Sequence, residues 1–169
     1  SGVKKIFTDE SYKDVLLHNN FKLSSANSIN WGRLVPQIVY YFSTYCDMVN
    51  SRSVAFGDKI NIVVPTGNFG NILAAYFAKE MGLPVNKLIC ASNKNKVLTD
   101  FITTGTYDRN REFFTTDSPS MDILISSNLE RLLYILCGRN SDTINEWFGA
   151  LKDCGKYTVS DDVKEKINE

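Results

Sequence analysis

Thr66-Gly67-Asn68-Phe69-Gly70-Asn71 is the string in this sequence best suited to chemistry. Two glycines and two asparagines stand between an apolar, β-branched run, Lys59 to Val64, and a helical pattern that starts at Ile72. A strand that turns straight into a helix leaves backbone N–H groups without partners at the turn. Together with the positive end of the helix dipole, such groups hold anions. Gly67 and Gly70 let the backbone approach a ligand with no Cβ in the way. The helix end adds ~0.3–1 kcal/mol for a negative group, and a phosphate is the guest such a loop suits. The loop is not a Walker A motif, because residue 72 is Ile and no Lys-Ser or Lys-Thr follows. Nor is it G-x-G-x-x-G, because position 69 is Phe, so ATP and NAD lose support. Read from spacing alone, a tight turn that needs its glycines only for conformation stands beside the phosphate cradle.

Other reactive residue types are sparse. The one histidine, His18, sits in a polar stretch and reads as a surface residue in the last turn of a helix, so no Ser/His/Asp arrangement can be built on it. Cys46, Cys90, Cys137 and Cys154 are widely separated with no C-x-x-C pair, which argues against a zinc cage. Apolar neighbours around three of them suggest buried free thiols of a reducing compartment, hence the cytoplasm. Nineteen Lys and Arg balance nineteen Asp and Glu across 169 residues. That balance leaves no global field to attract nucleic acid or an acidic membrane. The longest apolar runs, Ile60 to Val64 and Leu132 to Leu136, fall far short of the ~20 residues that span a bilayer.

The elements that must position the loop read as alternating α and β. Tyr12, Val15 and Leu16 predict a helix capped by Thr8 and closed at Asn19-Asn20. Ser24 to Asn30 reads as the entry to a long helix over Trp31 to Val49, apolar around most of its circumference and carrying Pro36 in its first turns. Lys59 to Val64 predicts a strand buried on both faces, and Ile72 to Met81 a helix ended by Gly82 and Pro84. Lys87 to Ala91 predicts a second strand, parallel to the first. Beyond it the pattern predicts a helix over Asn95 to Thr103, a short strand at Phe113 to Thr115 and an extended Ile123 to Ser126. Helices follow over Leu129 to Cys137, from Ser141 or Asp142 to Leu151, and over the polar Asp161 to Glu169.

Three strings give the sequence a family resemblance. Ser25 to Tyr41 resembles the "SANSINxxRLxxQxxYY" block of the threonine synthases. Val64 to Pro84 is similar to their "VPTGNFGNxxAxxxAKxMGLP" block. Ser120-Met121-Asp122-Ile123 with Ser126 to Arg131 resembles their "SMDIxxSSNFER" block, with Leu129 in place of the usual Phe. Threonine dehydratases and cysteine synthases share the class but lack the first and third blocks.

The resemblance implies a fold type II, pyridoxal 5'-phosphate enzyme and an α/β, three-layer αβα architecture around a mostly parallel Rossmann-like sheet. It implies binding of the cofactor phosphate by Gly67, Asn68, Phe69, Gly70 and Asn71. It also implies conversion of O-phospho-L-homoserine and water to L-threonine and phosphate. Ser28, Asn30 and Arg33 then become candidates for the substrate side, since an arginine pairs bidentately with carboxylate or phosphate. Capping for Ser28 and Asn30, and a surface ion pair for Arg33, are the plainer alternatives. Asn128 and Arg131 carry the same ambiguity, and their expected role is structural.

The family's cofactor lysine lies in an F-K-D-type motif, and none occurs here; Lys79, Lys94, Lys96, Lys152, Lys156, Lys164 and Lys166 all sit in polar surroundings. No catalytic residue is therefore expected in this chain, which resembles a middle piece of a longer enzyme. Residues 1–155 are expected to be part of its large domain, with 156–169 a polar helix or tail. Without the rest of the enzyme, such a piece is expected to be inactive and to self-associate. The alternative from another class is a non-catalytic phosphate-binding or regulatory module.

Overall fold

The computed structural model describes residues 2–24 and 27–169, with side chains from Lys5 onward. Two short helices, α1 (Gly2–Thr8) and α2 (Glu10–His18), lead into the long α3 (Trp31–Asn50). Then come β1 (Ile60–Pro65), α4 (Gly70–Glu80), β2 (Val85–Ala91), α5 (Val97–Thr104) and β3 (Thr106–Asp108). After a single 3-10 turn at Pro119–Met121 follow α6 (Leu129–Leu136), α7 (Ser141–Cys154), β4 (Lys156–Thr158) and α8 (Asp161–Asn168).

The βαβ unit predicted around the glycine loop is present. β1 and β2 pair in parallel, in register from Asn61 with Lys87 to Pro65 with Ala91, and α4 is the crossover. Ile72, Leu73, Ala74, Ala75 and Ala78 are all buried, and the alanines let α3 lie close against α4. The helix ends as glycine at C′ dictates: Gly82 has φ 102°, and the Leu83 N–H donates to the Ala78 carbonyl at 3.0 Å across it.

The other sheet is an antiparallel pair of three-residue strands, β3 and β4. Tyr107 and Tyr157 face each other in that ladder and stack with centroids 5.5 Å apart. Phe101 packs edge-on to both rings. With Leu133, Ile144, Trp147, Leu151 and Val163 these aromatics form the main core, which runs without a break into α4 and Phe69.

Several expectations are corrected. The first helix boundary is capped by Asp9, which accepts from the Tyr12 N–H at 3.1 Å, rather than by Thr8. Phe113 to Thr115 forms no strand; Phe113 is exposed. This stretch is held by polar side chains instead, with Asn95 bonded to the Phe114 carbonyl and N–H. α3 buries only Leu34 and Tyr45 fully. β1 is covered on one face only: Ile62 and Val64 pack into the core, while Asn61, Val63 and Pro65, which alternate with them, are exposed. The four cysteines are free thiols, but Cys46 and Cys154 are exposed and Cys90 and Cys137 only half-buried.

Candidate functional site

The glycine loop closes over the N-terminus of α4. Phe69, at the cap position, takes the left-handed conformation with φ 63° and ψ 0°, and no side chain caps the first turn. A bulky residue rarely holds that conformation; here the Phe69 ring is buried in the core, which secures it. The two glycines do not carry the positive φ; their role is close approach. A Cβ on Gly67 would stand 2.8 Å from the Ser120 carbonyl oxygen, and one on Gly70 2.5 Å from Ser28 Oγ.

The loop's carbonyls are tied back. Ser126 Oγ donates to the Gly67 carbonyl at 2.9 Å. The Asn68 carbonyl accepts from the Asn128 N–H at 3.1 Å and from Asn128 Nδ2 at 2.8 Å. All peptides here are trans, and in a trans peptide the N–H points opposite to the C=O. The Asn68 N–H therefore faces away from Ser126, and the Phe69 N–H away from Asn128. At the end of the loop the Tyr41 hydroxyl donates to the Asn71 carbonyl at 3.1 Å and also meets Asn71 Oδ1. Burial pushes that phenol up to about 12, so it remains a donor.

Gly67 to Asn71 surround a pocket of about 240 Å³ together with Ser28, Arg33 and Gln37. Arg33 lies in the first turn of α3, exposed, and makes no ion pair among the described residues. The structure thus brings Ser28 and Arg33 to the loop. Asn30 it places differently: Asn30 caps α3, accepting from the Gly32 N–H at 3.0 Å. Ser25 and Ala26, the start of the first quoted block, lie outside the described residues.

Ser126, Asn128 and Arg131 hold the loop from behind. Asn128 stands where a helix cap would, yet its side chain caps nothing; it is 0% exposed and joins loop, Ser28 and Arg131. An Asn before a helix reads as a cap from sequence, and partners 60 and 100 residues away leave no local signal. Tyr107 steers this segment, its hydroxyl donating to the Leu124 carbonyl at 3.0 Å and accepting from the Ser126 N–H at 2.9 Å.

A glycine loop lining a pocket, an uncapped helix end and a guanidinium with no ion pair among the described residues fit a phosphate. Known proteins carry the same stretch. The chain is 47% identical over 171 residues to threonine synthase-like 1 of Homo sapiens, covering 100% of this chain and 23% of that protein. It is 42% identical over 172 residues to the threonine synthase of Saccharomyces cerevisiae, covering 96% and 32%. The solved structure of a PLP-bound threonine synthase from Brucella melitensis superposes with a TM-score of 0.87 at 42% identity, over 98% of this chain and 33% of that one.

The chain is a homologue of the threonine synthases. It spans about a third or less of the length of the threonine synthases and threonine synthase-like proteins it matches. No family model matches. The α/β fold with its small parallel sheet is that of the corresponding stretch of a threonine synthase. Among the described residues no helix is long and apolar enough to cross a membrane.

Proposed function

We propose that this chain holds the cofactor phosphate of a pyridoxal 5'-phosphate-dependent threonine synthase, a carbon–oxygen lyase that converts O-phospho-L-homoserine and water to L-threonine and phosphate. The observation that carries the reading is the convergence of the Gly67–Asn71 backbone, Ser28 and Arg33 on one pocket at an uncapped helix N-terminus. Loop N–H groups bind phosphate oxygens and the start of α4 lowers the energy of the negative charge. Arg33 supplies a fork of donors to the cofactor phosphate or to an anionic group of the substrate. Ser28 orients from the side, and Tyr41 holds Asn71 in place through the bonds described above. Asn30 contributes by starting α3 where Arg33 reaches the pocket. When bound, pyridoxal phosphate supplies the electron sink that lets the γ-phosphate leave and water add at the β carbon. Residues 1–155 make up this part of the large domain, and 156–169, expected as a polar helix or tail, belongs to the same body, because Tyr157, Val159 and Val163 are buried in its core. The free thiols suit a reducing compartment, the cytoplasm.

Titration with pyridoxal 5'-phosphate, followed by absorbance, tests the reading. Saturable binding that inorganic phosphate competes away and that Arg33→Ala weakens is the expected result. Binding indifferent to phosphate would remove it. A second reading, a non-catalytic phosphate-binding module, is favoured by one observation: among the described residues no lysine lines the pocket. Phosphate release from O-phosphohomoserine by the protein that carries this stretch separates the two.

A further inference from the structure

Behind the loop runs a directed chain of hydrogen bonds. Arg131 Nη1 donates to Asn128 Oδ1 at 2.8 Å and to the Ser28 carbonyl at 3.0 Å, while Nη2 reaches the Ile29 carbonyl. The guanidinium stands over the Trp31 ring, 5.9 Å from its centroid, which fixes it from one side. A guanidinium has donors only, so the Asn128 oxygen must face Arg131 and the amide nitrogen must face the other way. That nitrogen donates to the Asn68 carbonyl at 2.8 Å and to Ser28 Oγ at 2.9 Å. Ser28 Oγ is thus an acceptor on the Asn128 side, and its own proton is left for another partner. Within the chain that partner is Asn27 Oδ1 at 3.3 Å, a long contact; the pocket that Ser28 lines is the other.

We propose that Arg131 and Asn128 are positioning residues. They set the Ser28 hydroxyl as a donor to the anion in the loop, and they turn the Asn68 carbonyl away from it. The same relay thereby does two things for an anion: it adds a donor and removes an acceptor. Asn128 suits the task because it is fully buried, where an amide in the wrong orientation would leave a donor facing a donor and cannot be rescued by water. This proposal rests on the phosphate reading above.

The test uses the full 169-residue chain with inorganic phosphate as probe, following the Gly67, Gly70 and Asn71 amide resonances alongside thermal melting. Ser28→Ala is expected to weaken phosphate binding about tenfold, the loss of one charge-assisted hydrogen bond, with little change in melting temperature. Asn128→Ala is expected to weaken it at least as much, and the double variant to bind within about threefold of the weaker single, since both act through one hydroxyl. Should Asn128→Ala not fold, Arg131→Gln replaces it in the cycle, because a glutamine amide can present either end to Asn128 and no longer enforces the direction. Additive losses, or Ser28→Ala binding phosphate as the unaltered chain does, would overturn the relay while leaving the cradle standing. An unaltered chain whose loop amides do not respond to phosphate would overturn the cradle and the relay together.

Discussion

Gly67 and Gly70 are both needed for space, yet the atoms they make room for differ, and so do the consequences of filling that space. A Cβ on Gly67 meets the backbone carbonyl of Ser120, which moves only with the whole Pro119–Met121 turn. Gly67→Ala should therefore cost stability, about 1–3 kcal/mol by the usual price of overpacking. A Cβ on Gly70 meets Ser28 Oγ at 2.5 Å and Ser28 Cβ at 2.6 Å; rotation about χ1 moves only the hydroxyl, so the Ser28 backbone must shift too. Gly70→Ala should therefore cost stability as well, but because it displaces Ser28, which lines the pocket, from Asn128, it should weaken phosphate binding more than Gly67→Ala does per degree of melting temperature lost. Thermal melting and phosphate titration on the two variants decide this; equal ratios would show that the glycines serve the turn alone. The glycine loop was legible in the sequence because a β-branched run, two glycines and a helical pattern adjoin within a dozen residues. The left-handed Phe69 was not legible, since an aromatic residue at such a position contradicts propensity and is held there only by tertiary packing.

At the scale of elements, legibility followed the range of the contacts. α4 and α7 carry their own periodicity and stop signals, and the parallel pair β1–β2 follows from two apolar runs flanking a crossover. β3 and β4 are three residues each, lie about fifty residues apart, and exist because Tyr107 and Tyr157 stack in the core; no pattern of period two is long enough to announce them. The nearly continuous apolar residues of α3 predict burial around most of its circumference, yet only Leu34 and Tyr45 are fully buried, because the pattern does not say which apolar faces are covered. The β3 contact has a pH signature. Burial raises the Tyr107 phenol from 10.0 to about 12, the hydrogen bond from Ser126 and the nearby Arg111 opposing it. The folded state thus favours the neutral phenol. The stabilisation is complete below about pH 10 and is lost as pH rises through about 12, because the unfolded chain gives up its proton first. Melting temperature should fall along that limb, and Tyr107→Phe should flatten it while lowering stability at neutral pH by the loss of the bonds to Leu124 and Ser126. An equally steep limb in Tyr107→Phe would assign the alkaline loss to Tyr41 and Tyr157 instead.

For the whole molecule, two outcomes follow from what the chain contains and what it leaves open. The pocket has anion-binding groups but, among the described residues, no lysine in its wall, so the 169-residue chain supplied with pyridoxal 5'-phosphate should release no phosphate from O-phosphohomoserine; sustained release above buffer would refute this. The second outcome concerns surface. Parallel sheets are stable when both faces and edges are covered, whereas Val63 on β1 is 60% exposed and β1–β2 is the only parallel pairing among the described residues. Along α3, Trp31, Val35 and Val39 recur every fourth residue, so they form one stripe, and all three are exposed, Val39 by 62%. Apolar area of that kind costs about 25 cal/mol per Å² left in water, and with a formal net charge of +0 no electrostatic repulsion keeps copies apart. The isolated chain is therefore expected to self-associate, its mean mass in light scattering rising with concentration and an apolar-surface dye binding at low concentration. Val39→Lys should lower both readouts without altering the melting temperature, because the residue contributes little to the core in the isolated chain. A monodisperse monomer at high concentration that binds no dye would show that the α3 stripe and the β1 face are tolerated in water as they stand.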